Sequence, residues 1–156
     1  MRFLALGVIA LAALCVPAAA ATRIDDPAKF VTQQYDALKQ NHGHKFPGDI
    51  YSARLAALFA ANMTETGVKP PLMGRLDFNF WIDAQDTDDA MPGVVKIAAE
   101  DAPHAPDRMI VDVTFTNFDP KENRFYFEKT PEGWKLDDVC SATGGWTLSL
   151  ILKYGR

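Results

Sequence analysis

The chain has 156 residues, of which 48% are hydrophobic, and a formal net charge of −4 at pH 7. This length suffices for one domain with a full hydrophobic core, and no disulfide is needed to support it. The mild acidity argues against a nucleic-acid partner, because nucleic-acid-binding proteins carry basic patches.

The first residues predict a secretory signal peptide. Arg2 supplies one cation, residues 3–16 carry no charge, and a proline and four alanines follow. A short basic start, an apolar run and small residues at the end are typical of a cleaved leader. We therefore predict a signal peptide over residues 1–20, with cleavage after Ala20 or Ala21.

The same apolar run does not predict a membrane anchor. It is shorter than the roughly 20 residues that a membrane helix needs, and Leu14 stands before Cys15 where lipid-attachment motifs have a small residue. We expect an exported protein, periplasmic or secreted, with a short tail at residues 22–25 and a single domain over residues 25–155. Cleavage would leave Cys140 without a disulfide partner, and a free cysteine of this kind is usually buried.

Two helices are predicted in the N-terminal half. The first covers residues 27–40, with Asp26 as its N-cap and a proline at its first position. Its apolar stripe consists of Phe30, Val31, Tyr35 and Leu38. The second covers about residues 51–62, capped by Ser52 or Asp49, and its apolar stripe consists of Tyr51, Leu55, Leu58 and Phe59.

In the second half the hydrophobic period changes to two, which is the period of a strand. Four strands are predicted, over residues 94–100, 108–118, 124–129 and 134–140. Residues 119–123 are predicted as a turn, and residues 130–133 as a tight hairpin because of their proline and glycine. Residues 146–154 close the chain as a short helix or strand.

Two helices followed by an antiparallel meander form an α+β order, in contrast to the βα alternation of parallel sheets. We predict N-terminal helices packed on a curved antiparallel sheet. Such a sheet wrapped against helices forms a cone with a partly open interior.

Four features in chain order resemble a known family. They are the apolar helix at residues 30–38, the motif Ser52–Leu55, the run Leu76–Asp86 and the strand Gly133–Val139. Together they resemble the exported bacterial domain of unknown function 3828 family, in the nuclear-transport-factor-2-like (cystatin-like cone) superfamily, over about residues 25–155. The resemblance implies the cone fold and a location in the cell envelope, and it implies no reaction.

The run Leu76–Asp86 is the most distinctive in the chain and carries the leading site candidates. The superfamily that the chain resembles includes isomerases and dehydratases, in which a buried carboxylate of raised pKa acts as a general base. Asp83 and Asp86 are the candidate catalytic residues by this argument. The alternative is that Asp83, Gln85 and Asp86 cap loose backbone N–H groups. Trp81 and Trp134 complete the predicted ligand-binding set, because tryptophan at a cone mouth or on a sheet face anchors a partner.

The bulky side chains at residues 80–82 exceed what the family pattern leads us to expect. They predict a pocket mouth that is partly filled. No metal site is predicted, because His42 and His44 are two apart in a loop while Asp49 and His104 lie elsewhere, and zinc needs three or four ligands in a defined geometry. We expect no cofactor.

Asp137 and Asp138 are adjacent in a predicted strand, and Asp112 lies in another. Together they are candidates for an acidic cluster, although strand alternation would let only one of the adjacent pair point inward. The alternative is an edge charge that prevents strands of other molecules from pairing.

The function expected from the sequence is binding without chemistry. The partner is either an envelope protein that docks on the open sheet face or an apolar ligand in the cone, and a homodimer through the sheet is left open. The alternative is a pocket enzyme, isomerase- or dehydratase-like, that uses an aspartate as general base.

Overall fold

The computed structural model describes residues 22–41, 43–67, 74–88, 96–101 and 105–155. The predicted signal peptide, His42 and His104 lie outside these ranges, as do the first two residues of the strand predicted at 94–100. The predicted single domain is described from residue 22 onward, and the buried side chains of its helices and strands form one hydrophobic cluster.

The three helices are α1 Pro27–Gln40, α2 Ala53–Thr66 and α3 Leu148–Tyr154. The bounds predicted for α1 are confirmed, and the Asp26 carboxylate accepts a hydrogen bond from Lys29 N at 3.0 Å. Ser52 caps α2 by accepting from Leu55 N at 3.0 Å. α2 runs past its predicted end to a left-handed Gly67, whose N–H closes the last turn. In the described part of the chain, none of the helices has the length and apolar character of a membrane span.

The five strands are β1 Lys96–Asp101, β2 Arg108–Asn117, β3 Asp119–Thr130, β4 Gly133–Ser141 and β5 Trp146–Thr147. All neighbouring strands pair antiparallel, in the order β1-β2-β3-β4-β5. The predicted α+β class, with helices packed on an antiparallel sheet, is confirmed. The last segment, predicted as helix or strand, contains both.

The chain reverses at a single residue between β2 and β3. Asn117 pairs with Asp119, and Phe118 between them has a φ of 62°. The turn predicted at residues 119–123 is therefore wrong, because these residues already belong to β3. Pro120 pairs with Thr116 of β2, but the pairing of β3 with β4 begins only at Asn123, so the missing N–H breaks no hydrogen bond on the β4 side.

The core lies between α1 and one face of the sheet. The inward face of the sheet carries Val111, Val113, Phe115, Phe125, Phe127, Leu136 and Val139, and α1 adds Phe30, Val31, Tyr35 and Leu38. The apolar faces predicted from the sequence are therefore confirmed for α1, β2 and β3. Ile24 was predicted to lie in the tail, but it is buried and bridges to Trp134, so the packed chain begins before residue 25.

A β-bulge places Asp137 and Asp138 on the same side of β4. The register passes from Tyr126 opposite Asp138 to Phe127 opposite Leu136, so Asp137 is the extra residue. The Arg54 guanidinium reaches both carboxylates, which confirms that they share a side. The strict alternation expected from the sequence therefore fails at this pair.

Two arginines and one hydroxyl group donate to the Asp137 carboxylate. Its Oδ1 accepts from Ser52 Oγ at 2.6 Å and from Arg54 Nε at 3.0 Å, and its Oδ2 accepts from Arg108 Nη1 at 2.9 Å. Burial alone would raise the pKa of Asp137, but these donors bring the pKa below its ordinary value. The carboxylate thereby joins the start of α2 to the sheet.

The acidic cluster considered from the sequence does not form. Asp112 accepts two hydrogen bonds from the Arg124 guanidinium, at 2.6 and 2.8 Å, across β2 and β3. Asp138 accepts from Ser149 N at 3.1 Å and from the Ser149 hydroxyl in the first turn of α3. Both acids therefore hold elements of the fold together.

An irregular segment at residues 76–88 passes through the core. Phe80, Trp81 and Ile82 are all buried, although none of them lies in a helix or strand. Buried backbone outside regular structure needs other hydrogen-bond partners, because an unpaired carbonyl away from water is costly. The bulky side chains at residues 80–82, predicted to fill part of a pocket mouth, are thus members of the core.

Three side chains supply these partners. Asn123 Nδ2 donates to the carbonyl of residue 80 at 3.1 Å, and the Tyr35 hydroxyl donates to that of residue 81 at 2.6 Å. Asn117 Nδ2 donates to the carbonyls of residues 82 and 86, at 3.1 and 3.0 Å. Burial raises the pKa of Tyr35, so its hydroxyl stays protonated as a donor. The segment is therefore held by amide and hydroxyl groups in place of a neighbouring strand.

Replacement of Asn117 tests this anchoring. Asn117→Ala leaves the carbonyls of residues 82 and 86 without their donor and removes the Oδ1 that accepts from Asp88 N at 2.8 Å. We expect the free energy of unfolding to fall by about 2–4 kcal/mol in urea titrations. The exposed neighbour Thr116→Ala is the control, with an expected change within about 0.5 kcal/mol. Equal losses in the two variants would contradict the anchoring role.

The Asp137 network predicts a pH dependence of stability. Because the pKa of Asp137 is lower in the folded than in the unfolded protein, its contribution is fully present above the ordinary pKa of about 4 and is lost as the pH falls through the folded value. We expect Asp137→Asn to lower the free energy of unfolding at pH 7 by about 1–3 kcal/mol. This deficit should shrink below about pH 4. The exposed control Asp119→Asn should show no such dependence on pH. A deficit that is the same at pH 3 and pH 7 would count against the network.

Candidate functional site

An aromatic cavity of about 790 Å³ opens beside the irregular segment. Its wall consists of Leu76 and five aromatic side chains, namely Phe46, Tyr51, Phe78, Phe80 and Trp81. Its remaining lining residues are polar, namely His44, Lys45, Asp77, Asn79 and Gln85. A concave site of this size, with an apolar wall and a few polar groups, has the character of a small-molecule site.

Trp81 is the most buried of these five aromatic side chains. Its indole is parallel to the Phe46 ring, with ring planes 2° apart and centroids 4.5 Å apart, and a second ring, Phe125, lies 4.8 Å away. The side chain is only 1% exposed, and within the described ranges its indole N–H has no hydrogen-bond acceptor. A buried donor without an acceptor is uncommon and asks for an explanation.

Tyr51 supplies a second neutral donor to the wall. It precedes α2, and its backbone bridges in parallel to Leu136 of β4. Its ring lies 5.0 Å from that of Phe59. Burial raises the pKa of Tyr51 to about 12, so the hydroxyl is protonated at neutral pH.

The connection between α1 and α2 brings Phe46 to the cavity. His44 N donates to the carbonyl of Asn41 at 2.8 Å, and the His44 ring is within hydrogen-bond distance of Gln34 Oε1, at 3.0 Å. The His44 ring meets that of Phe46 edge to face at 5.0 Å. These contacts turn the connection toward α1 and direct Phe46 onto Trp81.

Asp83 lies at a second cavity, of about 510 Å³. Its Oδ1 accepts from the indole N–H of Trp146, and its Oδ2 accepts from Ser141 Oγ at 2.8 Å. The Ser141 oxygen in turn accepts from Gly144 N at 2.7 Å. Both carboxylate oxygens of Asp83 are thus engaged by side chains of the C-terminal segment. The φ of Asp83 is 49°, a left-handed conformation that aspartate tolerates better than most residues.

The five site residues predicted from the sequence do not meet at one place. Trp81 and Gln85 line the aromatic cavity, whereas Asp83 lines the second one. Asp86 is exposed, and its backbone carbonyl takes part in anchoring the irregular segment. Trp134 is 9% exposed at the start of β4, and neither cavity includes it. The sequence considered Asp83 as a cap for backbone N–H groups, but the partners of its carboxylate are side chains.

Sequence reasoning missed Phe46, Tyr51 and Phe78 as members of a site. Tyr51 was assigned to the apolar stripe of a helix, but α2 begins two residues later. Phe46 stands alone as a large apolar residue in a polar loop, and this isolation was the one available signal. Only the folded chain brings the loop onto the irregular segment.

Within the described ranges, no group of three or more His, Cys, Asp or Glu side chains is placed to hold a metal ion. Of the residues considered for a metal, His44 contacts Gln34, and Asp49 accepts a hydrogen bond from Thr22 N. The other two histidines lie outside the residues that the structure describes.

Cys140 is half-buried, where the sequence predicted a buried thiol. It lies in a groove of about 440 Å³ that also includes Arg54, Arg108 and Tyr126. Its Sγ is 3.7 Å from the Tyr126 hydroxyl oxygen. The thiol therefore faces this groove, apart from both cavities described above.

Comparisons with protein-family models, with curated proteins and with solved structures find no match to this chain. The family resemblance noted in the sequence therefore stays a prediction. The geometry of the two cavities carries the functional argument.

Gly144 provides a test of the packing around Asp83. A Cβ at this position would lie 2.5 Å from Trp146 Nε1 and 2.9 Å from Asp83 Oδ2. We expect Gly144→Ala to displace the indole and to lower the free energy of unfolding by about 1–3 kcal/mol. The control is Gly48→Ala, where a Cβ meets nothing within 4 Å, and its expected change is within about 1 kcal/mol. Urea unfolding followed by tryptophan fluorescence measures both, and a neutral Gly144→Ala would refute the tight packing.

Proposed function

We propose that this chain is an exported single-domain protein that holds a small apolar ligand in the aromatic cavity without transforming it. The observation that carries the proposal is the cavity itself, about 790 Å³ in volume and walled by five aromatic side chains. Its volume falls within the range of roughly 300–1,000 Å³ that small-molecule sites occupy. Aromatic walls offer a large apolar contact area to such a ligand.

The positions of the aspartates support binding over catalysis. A general base needs a carboxylate oxygen that is free to take a proton from the substrate. Both oxygens of Asp83 accept hydrogen bonds from Trp146 and Ser141, and Asp86 lies exposed on the irregular segment. The pocket enzyme therefore stays a prediction that these contacts do not favour.

The proposed location depends on the sequence of the first residues. A single cation, an uncharged run and small residues support export through a cleaved signal peptide. The resemblance to the exported bacterial domain family supports the same location, and membership in that family is part of the proposal. A protein partner and a homodimer stay predictions.

Binding of a neutral apolar fluorophore tests the proposal. We expect N-phenyl-1-naphthylamine to bind the purified protein saturably, one molecule per chain, with increased fluorescence. Tyr51→Ala removes part of the cavity wall and should weaken the affinity at least fivefold. Tyr154→Ala is the matched control, because Tyr154 is 68% exposed on α3 and lies outside the cavity.

Two results would contradict the proposal. One is the absence of saturable binding by the folded protein. The other is an equal loss of affinity in the two tyrosine variants, since this would assign the fluorophore to the exposed surface. Circular dichroism of each variant establishes that the fold is retained.

A further inference from the structure

Strand β1 lies at the edge of the sheet. It pairs with β2 on one side, and among the residues that the structure describes no strand lies on its other side. In an antiparallel strand every second residue directs its N–H and C=O groups to the same side, so an edge strand presents a row of these groups away from the sheet. A strand of another molecule can pair with such a row.

The opposite edge of the sheet is covered by the chain itself. β5 pairs with the end of β4, and Tyr51 bridges to the middle of β4. Trp134 N donates to the carbonyl of Ile24, and Leu136 N donates to the carbonyl of Ile50, each at 2.8 Å. The two edges therefore differ, and β1 is the edge that another molecule can extend.

β1 lacks the features by which many edge strands avoid pairing, namely prolines, bulges and inward-pointing charges. The strand Lys96–Asp101 contains no proline, and its pairing with β2 is continuous. Its inward-facing residues are apolar, since Ile97 and Ala99 lie opposite the buried Val113 and Val111. The strand is therefore suited to pairing along its whole length.

Two opposite charges are placed symmetrically about Ala98. Lys96 and Glu100 are both exposed, and because each is two residues from Ala98, all three side chains point to the same face of the sheet. A two-fold axis through Ala98, perpendicular to the sheet, makes two β1 strands antiparallel. It places Lys96 of each copy directly opposite Glu100 of the other, an arrangement that stabilises an antiparallel pair.

Neighbouring registers do not pair these charges. Both copies keep each side chain on its own face of the continuous sheet, so the axis has to pass through a residue and not between two residues. An axis through Ile97 places Lys96 opposite Ala98, and an axis through Ala99 places Glu100 opposite Ala98. The charge pattern of the strand therefore selects the register centred on Ala98.

We propose that two copies of this chain associate through their β1 edges into one continuous antiparallel sheet, with Lys96 of each copy opposite Glu100 of the other. Backbone hydrogen bonds between the two strands hold the copies together, and the charge pairs fix the register. The partner is a second copy, because a single strand carries both members of the charge pair in self-complementary order. The inference is independent of the aromatic cavity, whose lining residues do not belong to β1.

Charge reversal tests the pairing by sedimentation equilibrium of the purified protein. We expect the wild-type protein to dimerise reversibly. Glu100→Lys brings two lysines together at each pair, and Lys96→Glu brings two glutamates together, so each variant alone should weaken dimerisation by roughly tenfold. The matched control is Glu132→Lys, which makes the same change of charge at an exposed residue between β3 and β4. It should change the dimerisation constant by less than about twofold.

An equimolar mixture of Lys96→Glu and Glu100→Lys distinguishes a direct contact from an indirect effect. In a mixed dimer both glutamates of one copy face both lysines of the other, so each charge pair is restored. We expect the mixture to associate within about threefold of the wild-type affinity, although each variant alone is weakened. Circular dichroism of both variants establishes that the fold is retained.

Amide hydrogen exchange gives a second readout that needs no variant. The amides of β1 that point away from β2 should exchange more slowly at high than at low protein concentration, because pairing protects them. The amide of Glu132 in the β3–β4 turn should exchange at the same rate at both concentrations.

Three results would overturn the inference. The first is a wild-type protein that stays monomeric at all concentrations, with unchanged exchange in β1. The second is a dimer that Glu100→Lys weakens no more than Glu132→Lys does, since this would assign the interface to another surface. The third is a mixture of the two variants that does not recover, which would contradict the register. None of these results affects the ligand proposed for the aromatic cavity.

Discussion

The structure depends on how the carbonyl groups of residues 80–82 are satisfied inside the core. This part of the chain is neither helix nor strand, so it cannot pair its own backbone in a regular pattern. Asn117, Asn123 and Tyr35 complete its hydrogen bonds from β2, β3 and α1. Each of these residues is almost fully buried, which for an asparagine is unfavourable unless its amide has partners. The two buried asparagines and the irregular segment therefore stabilise each other, because the amide groups and the carbonyls are hydrogen-bond partners.

The position of Trp81 follows from this anchoring. With its carbonyl held by the Tyr35 hydroxyl, the indole is directed into the space between α1 and the sheet, where it meets Phe125. A regular strand in this position would alternate its side chains between two faces. The irregular backbone instead buries three successive large side chains, and two of them, Phe80 and Trp81, also line the cavity. The same constraint thus fills the space between α1 and the sheet and forms a cavity beside it.

The sequence predicted those parts of the fold that depend on local patterns. The cap at Asp26, the stripe of α1 and the alternation in β2 are each decided by neighbouring residues, and the structure confirms them. The reversal at Phe118 and the bulge at Asp137 are decided by pairing between strands. Neither has a local signal, because a phenylalanine with positive φ and a buried aspartate both contradict the usual preferences. The cavity could not be predicted from the sequence either, because Phe46 and Trp81 come into contact only in the folded chain.

The ionisable groups and the neutral donors have different tasks in this molecule. Asp83 holds the C-terminal segment, Asp137 and Asp138 hold the starts of α2 and α3, and these carboxylates are already engaged by donors. A carboxylate in such a network gains little by exchanging its partner for a substrate proton, because the donors around it would then be left unpaired. The aromatic cavity differs, because its wall is mainly apolar and none of these three carboxylates lines it. A wall of this kind offers apolar surface to a small molecule, and contact of that sort involves no reaction.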